Sequence, residues 1–200
     1  MSDIVAPYSV LHDRLRQATK GPHHVLDHHL LLGPLARSNL TTEQYGNALA
    51  ALHGIYAQAE LRILAFLDQH PDLFDYRSRR KLPALEADLA ALGREPMPAL
   101  TVFPILQTIG GLIGVLYTVE GSTMGGQVIA RNLRRIPGVN LSMKFFTGYG
   151  EDSRQYWDEF LKFADTRCPP DEYEIAMSTA VAMFGAIKMH LDEVCHRQSR

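Results

Sequence analysis

Residues 109–128 read IGGLIGVLYTVEGSTMGGQV. At roughly 100° per residue, Gly110, Gly114, Gly121 and Gly125 fall within about 60° of one another on a helical wheel. Each helix-interior glycine costs roughly 1 kcal/mol relative to alanine, so the stripe carries a penalty of about 4 kcal/mol that some contact must offset. Two partners suit a bare face: a second helix crossing closely, or a broad, flat ligand needing close backbone approach and a few hydrogen-bond donors. Four turns of glycine exceed the needs of one crossing point, and Glu120, Ser122, Thr123 and Gln127 mix polar groups into them. A planar ligand is therefore expected against the stripe, Gly110 to Gly125.

The apolar run around this segment, Phe103 to Val119, contains a G-x-x-x-G of the kind that packs transmembrane helices. Gln107 and Thr108 lie inside it, Pro104 opens it and Glu120 closes it, and it falls short of the roughly 20 apolar residues that a bilayer needs. It reads as a buried helix of about Val102 to Leu133. Upstream, Leu11, Leu15, Ala18, Leu26 and Leu30 recur at helical intervals, with a kink or restart expected at Gly21-Pro22. Thr41 with Gln44 forms a capping box, stapled by Leu40 and Tyr45, for a long helix to about Asp68. Leu82 to Leu92 forms another, ended by Gly93. Downstream, Ile136-Pro137-Gly138 is a turn and Asp152 or Ser153 caps a helix through Trp157, Phe160 and Phe163. Pro169 to Glu172 opens a last helix with Ile175, Val181, Phe184, Ile187 and Leu191 on its apolar face. No convincing strand remains, so the fold class is all-α: a compact array of about seven helices, one domain over residues 1–200.

The chain has 200 residues, 46% of them hydrophobic, enough to bury a substantial core. Its net charge of −2 offers no basic block for a phosphate backbone, which argues against nucleic acid. Two cysteines, Cys168 and Cys195, give no disulfide framework, and the start MSDIVAPYSV lacks the pattern of a signal peptide, so a cytoplasmic location is expected.

Nine histidines are present, and His23, His24, His28 and His29 cluster. His24 and His28 are four apart, but no H-E-x-x-H pattern supplies a carboxylate and a zinc site would need a ligand from elsewhere. His23 sits at the edge of the apolar stripe, and Arg16 lies seven residues earlier on nearly the same face, roughly 10 Å along the axis. A neutral imidazole ligates iron and a guanidinium pairs with a carboxylate at that range; the competing reading is a solvated helix residue. Tyr117 also falls on the glycine stripe, and Ser122 and Thr123 supply hydroxyls beside Gly121.

The stretch Leu116-Tyr117-Thr118-Val119-Glu120-Gly121-Ser122-Thr123-Met124-Gly125-Gly126-Gln127 resembles the distal helix of haem oxygenases, particularly the bacterial, biliverdin-producing branch with a glycine-serine-x-x-glycine core. Leu15-Arg16-Gln17-Ala18-Thr19-Lys20-Gly21-Pro22-His23 is similar to that family's proximal segment, where an alanine-threonine pair precedes the iron-ligating histidine. The two motifs lie about 100 residues apart in a chain of matching length. The resemblance implies haem sandwiched between a proximal and a distal helix, and oxidative opening of that haem to biliverdin, carbon monoxide and ferrous iron. Haem is then both substrate and cofactor. By position, His23 is the proximal iron ligand, and Arg16 pairs with a propionate. Tyr117 contacts haem, and Gly121, Ser122 and Gly125 form the catalytic distal face.

The resemblance also implies O2 and an external electron donor as partners, a redox protein such as ferredoxin or a flavin reductase, with a phytochrome-like acceptor of biliverdin as one outlet. It departs from the family at Gly21-Pro22 and in the adjacent His24, which competes with His23 as ligand. Where other members carry an aspartate after the first distal glycine, this chain has Ser122, so distal water must be organised by backbone groups, Ser122 or another residue such as His53. Later propionate partners, in the region Lys144 to Lys162, match no motif. A haem-binding or haem-sensing protein of the same fold without turnover is the alternative, as is a helical protein binding another small molecule.

Overall fold

The computed structural model describes residues 9–135 and 141–198; the turn expected at Ile136-Pro137-Gly138 lies outside them. Seven α-helices follow one another: α1 (Val10–Asp27), α2 (Thr42–Asp68), α3 (Leu82–Ala91), α4 (Ile109–Leu133), α5 (Lys144–Thr147), α6 (Ser153–Arg167) and α7 (Tyr173–Gln198). Short 3-10 turns precede α2, α3, α6 and α7, and no strand occurs among the described residues. Helix α2 starts on the expected capping box, with Thr41 accepting from the Gln44 N–H and Gln44 from the Thr41 N–H. No described helix is long and apolar enough to cross a membrane.

The last helix is the axis on which the others are registered. A Cβ placed on Gly114 would lie 2.5 Å from the Ala176 carbonyl oxygen and 2.9 Å from the Ala180 nitrogen, and one on Gly110 would lie 2.7 Å from the Glu172 carbonyl oxygen. The Glu172 carboxylate also accepts from the Gly110 N–H at 2.5 Å, capping α4. Small residues thus let the α4 and α7 backbones touch, which is the close crossing that the first half of the glycine stripe serves. The pairings rise together, Gly110 with Glu172 and then Gly114 with residues 176–180, so α4 and α7 run parallel. Helix α1 runs parallel to α7 as well: Arg14 pairs with Glu174 at 4.0 Å, His23 packs on Phe184 at 5.9 Å and His29, just past the helix, meets Asp192 at 3.2 Å.

Four sequence expectations change. Helix α1 continues through Gly21-Pro22 instead of breaking, because the proline lies on a largely exposed stretch while Leu26 anchors the last turn. Helix α4 begins at Ile109, seven residues later than Val102, because Thr108 caps it by accepting from the Gly111 N–H. Neither Asp152 nor Ser153 caps α6 with its side chain; Ser153 instead donates to the Gly150 carbonyl and accepts from Gln127. On α7, which starts at Tyr173, Ile175 and Val181 are exposed, while Phe184, Ile187 and Leu191 are buried as expected; Ala176 and Ala180 take the place against Gly114 of α4, where only small residues fit.

His190 of α7 ties this axis to α2 and to the segment before α4. It is fully buried, its Nε2 lies 2.8 Å from the Ala51 carbonyl and its Nδ1 accepts from the Leu100 N–H. That pairing uses the neutral ring, and desolvation lowers the His190 pKa below 6.5 although the Ala51 bond opposes it. The unfolded chain therefore binds more protons just below that value, so stability is complete above it and declines as pH falls towards the folded pKa. The melting temperature is expected to fall between about pH 7 and about pH 5, and less steeply in His190→Gln; equal slopes would show that this ring does not set them. Alanine scanning of the stripe should also split by sign. Gly114→Ala should cost about 1–3 kcal/mol by overpacking. Gly125→Ala, where a Cβ meets nothing within 4 Å, should gain up to about 1 kcal/mol of helix propensity, both read by denaturant unfolding.

Candidate functional site

Beyond its crossing with α7, the glycine face of α4 opens. Gly121, Ser122 and Gly125 are half-buried or exposed, although α4 is otherwise largely a core helix. A Cβ on Gly121 would meet only the Trp157 ring, at 3.6 Å, and one on Gly125 would meet open space. The register along α7 places His23 opposite this interval. Gly114 packs at residues 176–180, so Gly121, seven residues on, reaches the height of about Phe184, where the His23 ring packs. A second marker agrees: Thr19 of α1 lies beside the Tyr117 hydroxyl of α4, and one turn further along each helix come Gly121 and His23. His23 on α1 and Gly121 on α4 thus lie at about the same height along α7, where Phe184 packs on the His23 ring.

His23 is exposed, and its Nδ1 lies 2.9 Å from the Asp27 carboxylate, four residues on. A ring that donates from Nδ1 keeps its Nε2 lone pair for a metal, so Asp27 sets both tautomer and ring plane. Asp27 was not singled out from the sequence; its i,i+4 spacing from His23 is the signal that would have found it. His24 faces elsewhere: its ring stacks against His28 at 4.2 Å, while the His28 Nδ1 lies 2.8 Å from the His24 carbonyl. Among the described residues no group of three or more potential ligands forms a metal centre. Arg16 is exposed, and its charge acts on the Tyr117 hydroxyl, whose pKa burial raises.

The distal hydroxyl pair is directional. Ser122 donates its single hydroxyl proton to the Val119 carbonyl at 2.6 Å, so the Tyr56 O–H, 2.6 Å away, must donate to Ser122. Burial holds Tyr56 far above the ordinary tyrosine pKa, keeping that proton on its oxygen. Ser122 retains a lone pair at the open face. His53, the other residue considered for this role, points away: its Nε2 lies 3.5 Å from Glu86 on α3, because α2 turns that face towards its neighbour.

Behind the open glycine face lies a buried ionic cluster that the sequence did not reveal. Glu120, read as the polar end of an apolar run, is 1% exposed. It accepts from Lys81 Nζ at 2.9 Å, Arg79 at 3.3 Å and the Tyr149 hydroxyl at 2.9 Å. Arg79 also reaches Glu159 at 2.7 Å and the Tyr156 carbonyl at 2.9 Å, tying α4 to α6. Glu60, equally buried, accepts from the Lys81 and Leu82 N–H groups and from Arg80, holding the start of α3. Desolvation pulls the Lys81 pKa down, and the Glu120 charge opposes it. Only alternating signs with every lone pair engaged make such burial tolerable. Glu120→Ala would leave Lys81 and Arg79 buried without their counter-charge and should cost about 3–5 kcal/mol in denaturant unfolding; a loss below about 1 kcal/mol would mean that the cluster is solvated.

Comparison with known proteins places this site in context. The family model described as "Heme oxygenase" matches residues 9–191. A curated heme oxygenase of Xanthomonas campestris pv. campestris is 31% identical over 160 residues, which span 80% of this chain and 92% of that protein. Among solved structures, the NO- and CO-bound heme oxygenase of Neisseria meningitidis superposes with a TM-score of 0.75 at 19% identity, covering 92% of this chain and 91% of that one. Heme oxygenase from Leptospira interrogans gives 0.73 at 14% identity over 92% and 100% of the two chains. Heme oxygenase-1 from the cyanobacterium Synechocystis, in complex with heme, gives 0.69 at 14% identity over 93% and 92%.

Proposed function

This chain belongs to the haem oxygenase family, and from that membership we propose that it opens haem with O2 and externally supplied electrons to biliverdin, carbon monoxide and ferrous iron. The observation that carries the reading is the pairing, at about one height along α7, of a histidine tethered through Nδ1 with a glycine face that meets only the Trp157 ring at Gly121 and open space at Gly125. The residues present fit a flat tetrapyrrole: one nitrogen ligand, a backbone-smooth opposite wall and a cation at the rim.

Each residue then has a physical role. His23 would hold the iron through Nε2, with Asp27 accepting from Nδ1–H and orienting the ring. Gly121 and Gly125 let the α4 backbone approach the macrocycle, and a side chain there would fill the space that oxygen needs. Ser122, fixed by Tyr56, presents an acceptor to a distal water or proton. Arg16, beside Tyr117, pairs with a propionate. Haem, when bound, supplies the oxygen-activating iron and the carbon that is oxidised. Electrons come from a redox protein such as ferredoxin or a flavin reductase.

Mixing the purified protein with hemin, then adding reductant and oxygen, tests the proposal. A Soret shift followed by a green product is expected; a stable spectrum with no product would leave haem binding without turnover. His23→Ala should abolish the histidine-ligated spectrum and His24→Ala should preserve it, whereas the reverse would move the ligand by one residue. Gly125→Leu should lower turnover by at least about tenfold, a loss of about 1.4 kcal/mol or more in transition-state stabilisation. Unchanged turnover would remove Gly125 from the distal face.

A further inference from the structure

Two hydrogen-bonded links join α4 to α2 where the glycine face opens. In the first, Ser122 accepts from the Tyr56 hydroxyl of α2 at 2.6 Å. In the second, Lys81 stands between the helices: its Nζ donates to Glu120 of α4 at 2.9 Å, while its backbone N–H donates to Glu60 of α2 at 2.5 Å. Glu60 lies four residues, about one turn, beyond Tyr56, so both links start from the same stretch of α2. Lys81 and Glu120 are 5% and 1% exposed, and the Tyr149 hydroxyl, 2.6 Å from Lys81 Nζ and 2.9 Å from Glu120, closes the second link. Arg79, the other cation on Glu120, is committed to α6 through Glu159 and the Tyr156 carbonyl, so it is Lys81 that carries the link to α2.

The two links hold opposite sides of α4. At roughly 100° per residue, Ser122 stands about 200° from Glu120, and Gly121 and Gly125 fall between them, at about 100° and 140°. A tether on one side leaves a helix free to roll about its axis; tethers on both sides do not. Nearer the start of α4 the roll is fixed by backbone contact, since a Cβ on Gly114 would lie 2.5 Å from the Ala176 carbonyl oxygen. That contact has no counterpart further on: a Cβ on Gly121 would meet only the Trp157 ring, and one on Gly125 nothing within 4 Å. Gln127, bonded to Ser153 at 2.7 Å, holds the helix again beyond this interval. Within it, the glycines at 121, 125 and 126 make the backbone easier to twist than elsewhere in the helix.

Resting on the reading of this face as the haem site, we infer that Lys81 is a positioning residue: through Glu120, and opposite the Tyr56–Ser122 link, it sets the roll of α4 and so the direction in which Gly121 and Gly125 face the haem. The two links act on one coordinate. Loss of either releases the roll, and loss of the second then adds little. An ion pair that served stability alone would behave otherwise, because its loss would lower protection along the whole helix in proportion to the lost global stability.

Amide hydrogen exchange of the haem-free protein tests this in wild type, Lys81→Met, Tyr56→Phe and the double variant. Either single variant should speed exchange at residues 121–126 by at least about tenfold while residues 112–118 keep wild-type protection, and the double variant should exceed the faster single one by less than about threefold. Should Lys81→Met fail to fold, Tyr149→Phe, which withdraws one hydroxyl from both Lys81 and Glu120, takes its place with the same expectation. Equal acceleration along the whole of α4, no acceleration, or full additivity in the double variant overturns the inference. The ferrous haem complex with carbon monoxide gives a second readout without turnover: the C–O stretching band should be single in wild type and broadened or split in each single variant. A wild-type band in folded, haem-loaded variants overturns the role towards haem even where exchange is faster. A wild type that gives no Soret shift overturns the haem reading and leaves the exchange contrast to decide the tethers.

Discussion

The backbone contact between α4 and α7 at Gly110 and Gly114 is the constraint on which the remaining geometry depends. With the Ala176 carbonyl in the place of a Gly114 side chain, the two helices cannot separate, slide or rotate without losing van der Waals contact over two turns. That locks the register of α4 on α7, and α7 in turn carries α1 through Glu174, Phe184 and Asp192. His23 and the glycines at 121 and 125 lie on elements about 100 residues apart in sequence. Their relative height is inherited from a third helix, on which His23 packs at Phe184.

A glycine stripe then does two unlike things along one helix. In its first half the missing side chains are replaced by protein backbone, and the cost of glycine in a helix is offset by packing. In its second half nothing of the protein fills the place at Gly125, and the cost of glycine there is not offset by packing. The transition between the two falls at Tyr117, where Thr19 and Trp157 close the gap between helices.

Electrostatics hold the distal helix from behind. Glu120 is drawn into the core by Lys81, Arg79 and Tyr149, and Arg79 continues the chain of charges to α6, with its guanidinium also stacked 4.6 Å from the Tyr156 ring.

Local signals in the sequence determined the helix count, the capping box at Thr41, the stop at Gly93 and the two motifs that carry the family, because each depends on residues within a turn or two of one another. Asp27 was legible in principle by its spacing from His23. Which glycines pack and which stay open, the unbroken course of α1 through Pro22, and the burial of Glu120 with its partners came only from the tertiary structure. These depend on what approaches from other helices: a carbonyl at Gly114, Phe184 beneath His23, Lys81 and Arg79 around Glu120. Periodicity shows that a helix has a special face, and only the packing of the chain decides what lies against it.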